Sequence, residues 1–198
     1  MAPSRQAEWS AFRGHVVVIF VSVGAQMPFD RLIRNVDEWA RRRGRDDVFA
    51  QIGPSAYKPK HMKFTAFIDP PEFRQRVAEC DYLVAHAGMG CIITALELGK
   101  PILVFPRRGD LQETRNDHQV ATATYFSSQG RIAAAFDEME LFRKLDGLKA
   151  EAIPSRISSN ATGPLIAAIR AFLFENAGVD TVVARAQGHL NPGTRYEA

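Results

Sequence analysis

The clearest hydrophobic pattern in the chain is HVVVIFVSVG, at positions 15–24. Both alternating faces of this run are apolar, which is typical of a parallel strand covered by helices on both sides. The next segment, 29–44, carries apolar residues at helical spacing and ends at Gly44. A glycine just past the last helical position is a common helix stop. The pattern therefore predicts a strand, a glycine turn and a helix, which form one βα unit.

This alternation continues along the chain. Further strands are predicted at 47–53, 63–68, 81–88, 101–106 and 131–136, and further helices at 71–80, 91–98, 117–130, 137–150 and 163–176. The pattern predicts an α/β fold, a single Rossmann-like domain with a mostly parallel sheet and helices on both faces. Ligands of such sheets bind beyond the carboxyl ends of the strands. The site is therefore expected in the loops after Val23, Ile52, Val84 and Phe105.

Length and composition fit one folded domain. The chain has 198 residues, of which 46% are hydrophobic and 24% are charged, and these are ordinary globular values. Segment 1–14 is interpreted as an N-terminal extension, 15–178 as the folded domain and 179–198 as a tail or interaction arm.

Charge and cysteine content argue against several classes of function. The net charge is only +3, and the basic run at 41–45 follows a helical pattern, so no nucleic-acid partner is indicated. Cys80 and Cys91 lack metal-ligand spacing, and a reduced cytoplasm is their simplest setting. No signal pattern precedes the first strand, and the apolar stretch 16–23 is shorter than the roughly 20 residues of a membrane helix. We therefore expect a cytoplasmic protein.

Two glycine turns join strands to helices, at SVGAQMPFD (22–30) and HAGMGC (86–91). Backbone N–H groups and the helix dipole at such turns favour an anionic group such as phosphate. Gly88 and Gly90 allow a ligand to approach the backbone closely, and Cys91 adds a thiol at the helix start. From the residues alone, each turn could instead be an ordinary tight turn, and Cys91 a small buried residue.

A polar cluster of Asp117, His118 and Gln119 begins the helix beside the expected crevice. These side chains could hydrogen-bond to sugar hydroxyls. Asn116 and Asp117 also fit an ordinary helix cap, and spacing alone favours the cap.

Three segments, FVSVGAQMPFDRL, HAGMGCIITALELGKP and RNDHQ, together resemble the C-terminal, donor-binding domain of GT-B glycosyltransferases, which have two Rossmann-like domains. The resemblance is to glycosyltransferase family 28 and covers about residues 15–135. It is closest to the stand-alone catalytic subunits of split enzymes: the PssE/EpsF-like bacterial exopolysaccharide glycosyltransferases and the eukaryotic subunit that adds the second GlcNAc to dolichol-diphosphate. The resemblance implies the donor-binding half of a two-domain sugar transferase.

The resemblance also implies a donor site built from these motifs. The donor diphosphate is expected at the first glycine turn, Gly24, Ala25 and Gln26. The nucleotide is expected at the second turn, formed by His86, Ala87, Gly88, Met89, Gly90 and Cys91. Where the family has Ser or Thr at the helix start this chain has Cys91, whose thiol is a weaker donor than a hydroxyl.

Further donor contacts follow from the same resemblance. Ribose is expected at Thr94 or Glu97, and the sugar at Asp117, His118 and Gln119. Uracil is expected near Phe67 and the loop 53–57, which begins at Gly53. Arginines flank this site, and a guanidinium pairs well with phosphate or with the carboxylate of a uronate sugar. The arginines are Arg107, which is included among the donor-binding residues, Arg108 and Arg115.

The implied reaction is inverting transfer of a hexose or hexuronate, such as glucuronate, galactose or GlcNAc, from a UDP-sugar. The acceptor is a polyprenyl-diphosphate-linked saccharide of exopolysaccharide biosynthesis. Helix N-termini would stabilise the leaving diphosphate, so neither a metal nor another cofactor is required. The general base is expected on a partner subunit, with His118 or His86 as alternatives.

The expected partner is a membrane-anchored, acceptor-binding subunit that recruits the chain to the inner face of the membrane. Self-association of the isolated chain through the apolar stretch 169–179 is left open. Two other functions also stay open: a nucleotide-sugar-binding regulatory subunit without catalysis, and a protein related to UDP-sugar epimerases.

Overall fold

The computed structural model describes residues 18–148, 157–158 and 163–175. The strands are β1 (Ile19–Ser22), β2 (Val48–Gln51), β3 (Lys63–Thr65), β4 (Tyr82–Ala85), β5 (Ile102–Val104) and β6 (Ala133–Ala134). The helices are α1 (Asp30–Arg43), α2 (Pro70–Glu79), α3 (Met89–Leu98), α4 (His118–Ser128), α5 (Glu138–Asp146) and α6 (Gly163–Glu175). Each element coincides with one that the sequence pattern predicts, although most are shorter.

The six strands form one sheet in the order β3-β2-β1-β4-β5-β6, and every neighbouring pair is parallel. The predicted α/β fold class is confirmed. Ile19 of β1 pairs with Val48 of β2 on one side and with Tyr82 of β4 on the other. The strand order therefore reverses next to β1, and a crevice opens there at the carboxyl ends of the strands.

The apolar residues of the strands pack against both faces of the sheet. Successive side chains of a strand point to opposite faces. In β1, Val21 belongs to a core cluster that includes Leu32 and Trp39 of α1, whereas Phe20 belongs to a second cluster that includes Ile92 of α3. All four β1 residues are buried. The run of apolar residues on both faces is thus explained by a sheet with helices on both sides.

Helix ends follow local sequence signals. Gly44 ends α1 with φ of 59°, as the pattern predicts. Helix α3 begins at Met89, two residues before the predicted start at Cys91. Gly88 precedes it in an extended conformation and serves as its N-cap. The Asp69 side chain caps α2 by accepting a hydrogen bond from the backbone of Glu72 at 2.8 Å.

The chain divides into two compact units, one ending at Ile157 and the other beginning at Ser158. The sheet belongs to the first unit and α6 to the second. The predicted N-terminal extension 1–14, the boundary at 178–179 and the tail 179–198 lie outside the described residues and stay predictions. The stretch 169–179 is described only in part. Among the described helices, none has both the length and the apolar character needed to cross a membrane.

Candidate functional site

A cleft of about 350 Å³ lies at the carboxyl ends of β1, β2 and β4, where the topology places a ligand site. It is lined by Ser22, Gly24, Ala25, Gln51, Phe67, Ile68, Pro70, Phe73, His86, Gly90, Cys91 and Thr94. The structure therefore brings together residues from both glycine turns, the ribose candidate Thr94 and the uracil candidate Phe67.

Two buried polar residues that the sequence analysis did not single out form one wall of the cleft. The Ser22 hydroxyl donates to Oε1 of Gln51 at 3.2 Å and accepts from the backbone N–H of Gly24 at 3.2 Å. The hydroxyl thereby connects the end of β2 to the first glycine turn. In the sequence, the only sign of this contact is that a polar residue ends each of two apolar strands, Ser22 in β1 and Gln51 in β2.

The His86 side chain lies between the two glycine turns. A Cβ atom would lie 2.8 Å from its ring if placed on Gly24, and 2.2 Å if placed on Gly88. Its Nδ1 atom is 3.5 Å from the carbonyl oxygen of Ser22 and 3.9 Å from Sγ of Cys91. Burial, together with the nearby charge of Arg107, lowers the pKa of His86 to about 4. The imidazole is therefore neutral at pH 7 and weakly basic.

The start of α3 forms another wall. Its first N–H groups, on Met89 and Gly90, lack acceptors within the helix by virtue of their position. A Cβ atom on Gly90 would meet nothing within 4 Å, so this side of the helix start is open. Burial raises the pKa of the Cys91 thiol to about 11, so the thiol stays protonated and neutral. An anion at this position would therefore meet the positive end of the helix dipole and no negative side chain of the cleft.

Arg107 is 4% exposed and lies behind the first glycine turn. Its Nη2 atom donates to the carbonyl oxygens of Val23 and Met27, both at 2.8 Å. Its backbone N–H donates to Oε1 of Gln119 at 3.2 Å. The guanidinium is thus bonded to the protein backbone, and its predicted contact with the donor stays a prediction.

The remaining polar cluster lies at the start of α4. The Asp117 carboxylate accepts from the backbone of Gly109 at 2.8 Å and does not cap the helix N–H groups. The prediction that the Asp117 side chain caps α4 is therefore wrong, because the carboxylate bonds to the preceding loop instead. Asn116 Oδ1 bonds to the ring Nδ1 and the backbone N–H of His118, whose side chain is exposed. Gln119 is the buried member of this cluster.

Other predicted site residues have partners elsewhere. The Glu97 carboxylate accepts from Arg74 at 2.9 Å, and Glu97 is not among the residues that line the cleft. Tyr57 donates from its hydroxyl to the buried Asp37 at 2.6 Å, which ties the loop after Gly53 to α1. The three other candidates differ in exposure: Ala87 is buried, whereas Gln26 and Met89 are exposed.

The flanking arginines also differ in their surroundings. Arg108 pairs with Asp110, the shortest distance being 2.6 Å, and Arg115 is exposed. Within the described residues, no three His, Cys, Asp or Glu side chains are grouped closely enough to hold a metal ion.

The sequence profile of the glycosyltransferase family 28 C-terminal domain matches residues 18–151. The chain belongs to this family. The match covers the sheet, both glycine turns and the start of α4, so the cleft lies wholly within the family 28 domain. The resemblance inferred from the sequence motifs is confirmed at this level, and the narrower PssE/EpsF-like assignment stays a prediction.

Solved structures of glycosyltransferases are similar in fold. A glycosyltransferase of kitacinnamycin is 21% identical, with a TM-score of 0.53, and the match covers 70% of this chain and 36% of that protein. MurG of Acinetobacter baumannii is 14% identical, with a TM-score of 0.54 and coverage of 77% and 47%. ALG13 is 19% identical, with a TM-score of 0.49 and coverage of 80% and 96%. The chain thus spans less than half the length of the first two proteins. A search of curated protein sequences gave no match.

Proposed function

We propose that this chain is the donor-binding, catalytic subunit of a two-component glycosyltransferase that uses a UDP-sugar. The observation that carries the proposal is the cleft in which the first glycine turn, His86 and the start of α3 converge. Membership of family 28 supports a nucleotide-sugar glycosyltransferase. A second, acceptor-binding component is part of the proposal because the sequence motifs resemble those of the stand-alone catalytic subunits of split enzymes.

The diphosphate is proposed to lie at the start of α3. None of the described residues that line the cleft is an acid or a permanently charged base, and His86 is neutral at pH 7. Binding of a diphosphate here would therefore depend on backbone N–H groups and the helix dipole. Gly90 leaves room for the phosphate oxygens.

The nucleoside is proposed to occupy the other end of the cleft. Phe67 is 61% exposed and lines the cleft with Phe73, so an aromatic surface is available for a base. Thr94 is the proposed ribose contact because it lines the cleft. Glu97 is a weaker candidate since its carboxylate is paired with Arg74.

The proposed reaction is attack of an acceptor hydroxyl on the anomeric carbon of a UDP-α-sugar, which yields a β-glycoside and UDP. Donors at the helix start stabilise the charge that develops on the leaving diphosphate. The weak basicity of His86 favours a general base on the partner subunit, with the exposed His118 as the alternative within this chain. The proposed acceptor is a membrane-bound, polyprenyl-diphosphate-linked saccharide, and the transferred sugar a hexose or hexuronate.

The test is calorimetric titration of the full chain with UDP, UDP-glucuronate, UDP-galactose and UDP-GlcNAc, with GDP as the control. We expect selective binding of the uridine nucleotides. Gly90→Asp should weaken UDP binding at least about tenfold, because a carboxylate would lie where the phosphates bind. The neutral isostere Gly90→Asn fills the same space without the charge, so it should weaken UDP binding less than Gly90→Asp does. Equal affinities for UDP and GDP, or equal effects of the two variants, would contradict the proposed site.

Turnover is then measured with the acceptor-binding partner present. We expect His118→Ala or Gln119→Ala to reduce turnover without loss of the complex. Nucleotide binding by the wild-type chain without any turnover by the reconstituted pair would instead favour a regulatory subunit.

A further inference from the structure

Arg107 bonds to both ends of the first glycine turn. Its Nη2 atom lies 2.8 Å from the carbonyl oxygen of Val23, which precedes the turn, and 2.8 Å from that of Met27, which follows it. Residues 24–26 therefore lie between two carbonyls that share one guanidinium nitrogen. A single side chain from the loop after β5 thus fixes the span of a turn that follows β1.

A contribution to folding stability does not by itself explain why a charged side chain is buried at position 107. Arg107 is 4% exposed, its Nε atom has no hydrogen-bond partner among the described residues, and burial lowers its pKa. A buried charge often adds no more stability than an apolar side chain of similar volume, because desolvation offsets its interactions. The contacts of the guanidinium converge on the turn and on the Phe29 ring, whose centroid is 4.9 Å away. These contacts connect Arg107 to the cleft.

The His86 ring lies against the turn to which Arg107 bonds. Gly24 of the fixed turn leaves the space that the His86 ring occupies, since a Cβ atom there would lie 2.8 Å from the ring. The charge of Arg107 adds to burial in lowering the pKa of His86. The carbonyl of Ser22, 3.5 Å from Nδ1, accepts hydrogen bonds only, so it favours a proton on Nδ1 and leaves Nε2 as an acceptor.

We propose that Arg107 is a positioning residue of the donor site: by bonding to both ends of the turn 24–26 it sets the conformation of the turn and the place of the His86 ring, and it acts on the donor through them. Only the last step rests on the proposed function. The effects on the turn and on His86 exist without any nucleotide, so they can be measured independently of it.

The experiment compares the nucleotide-free wild-type chain with Arg107→Met, Arg107→Gln and Arg107→Lys. Amide hydrogen exchange is followed at residues 24–26, with Leu83 of the central strand β4 as the internal control for global unfolding. The pKa of His86 is measured by NMR titration of its ring. The matched control is Arg108→Met, because Arg108 is adjacent in sequence but pairs with the exposed Asp110.

We expect exchange at Gly24, whose amide donates to the Ser22 hydroxyl at 3.2 Å, to accelerate at least about tenfold in Arg107→Met, with Leu83 unchanged. The reason is that two hydrogen bonds from a charged group to the ends of the turn are lost. The pKa of His86 should rise in the Met and Gln variants and stay low in Arg107→Lys, which keeps the charge. UDP affinity should fall about tenfold in Arg107→Met. Arg108→Met should change neither the exchange nor the titration.

Unchanged exchange at residues 24–26 together with an unchanged pKa of His86 in Arg107→Met would overturn the proposal. If Arg107→Met does not fold, the same two measurements on Arg107→Gln test the proposal. Unchanged UDP affinity in a variant whose turn exchanges faster would also overturn it. Failure of the wild-type chain to bind UDP would instead count against the proposed function, since the exchange and titration results do not depend on nucleotide.

Discussion

A Cβ atom on Gly88 would lie 2.2 Å from Nε2 of His86, far closer than non-bonded atoms approach each other. Gly24, on the other turn, has a similar relation to the same ring, at 2.8 Å from Cε1. The imidazole thus occupies space that two glycines leave open. Gly88 is predicted to allow close approach of a ligand, which stays a prediction; the structure shows that Gly88 and Gly24 accommodate a neighbouring side chain.

Gly88→Ala should displace the His86 ring and destabilise the chain by about 1–2 kcal/mol, the usual cost of an overpacked site. The backbone angles of Gly88, φ −84° and ψ 136°, suit alanine. The expected loss of stability is therefore caused by the contact of the new Cβ atom with the ring. Urea unfolding at neutral pH measures it. Gly90→Ala is the control and should cost less, since its Cβ atom meets nothing within 4 Å. The same loss for Gly88→Ala in a His86→Ala background would show that the ring is not responsible.

The lowered pKa of His86 predicts a specific dependence of stability on pH. The unfolded chain binds a proton at His86 below about pH 6.5, whereas the folded chain does so only near pH 4, so the free energy of unfolding rises with pH between these values. The wild-type chain should therefore lose about 2–3 kcal/mol from this group between pH 7 and pH 4.5.

The measurement compares urea unfolding of the wild-type chain and His86→Asn at both pH values. Other titrating groups contribute equally to the two chains, so the difference between the two losses reports His86. We expect the variant to lose about 2–3 kcal/mol less than the wild type over this interval. Parallel losses would mean that His86 is protonated in the folded chain as readily as in the unfolded one.

The fold was predictable from the sequence because its main signals are local. Apolar residues on both faces of 15–24 predicted a covered parallel strand, and Gly44 predicted a helix end that lies where expected. The start of α3 was placed too late, at Cys91, since the role of Gly88 as N-cap depends on a backbone conformation that the sequence does not state. The periodicity of apolar residues therefore predicted the order of strands and helices and the parallel sheet. It did not predict the residues at which each element begins and ends.

The candidate site was predictable only in part. The two glycine turns were identified because turn residues sit at the ends of apolar runs, and the structure brings Gly24 and Cys91 to one cleft. The contact between Ser22 and Gln51, 29 residues apart, and the bonds from Arg107 to Val23, 84 residues apart, depend on strand order and loop packing. These contacts between residues distant in the chain could not be predicted from a single sequence.

Cys91→Ser tests whether the helix start binds phosphate. The resemblance to family 28 places a Ser or Thr here, and a hydroxyl is a stronger donor than the protonated thiol. We expect the serine variant to bind UDP about three- to tenfold more tightly, which corresponds to the usual net contribution of one hydrogen bond. Calorimetry at neutral pH measures the change. Cys91→Ala, which has neither group, is the control and should not tighten binding; a similar gain in both variants would point to relieved crowding next to His86 instead.

A partly buried ion pair between Arg31 of α1 and Glu113 fixes the loop that leads from β5 to α4. Arg31 donates from Nε and Nη2 to the two carboxylate oxygens, at 2.7 and 2.8 Å, and also bonds to the carbonyl of Pro106 at 2.9 Å. The Glu113 side chain is only 13% exposed, and its carboxylate also accepts from the backbone of Arg108 at 3.0 Å. One carboxylate thereby joins α1 to a loop that carries the polar cluster.

Glu113→Gln should therefore destabilise the chain by about 2 kcal/mol, because it removes the charge that Arg31 faces at low exposure and keeps the size of the side chain. The matched control is Glu138→Gln. Glu138 lies 3.3 Å from the same arginine but is 48% exposed, so the expected loss is below about 0.5 kcal/mol. Urea unfolding of both variants at neutral pH measures the two losses. Equal losses would show that Arg31 is held mainly by its bond to Pro106 and its contact with the Phe105 ring, 4.1 Å from the centroid, rather than by the buried carboxylate.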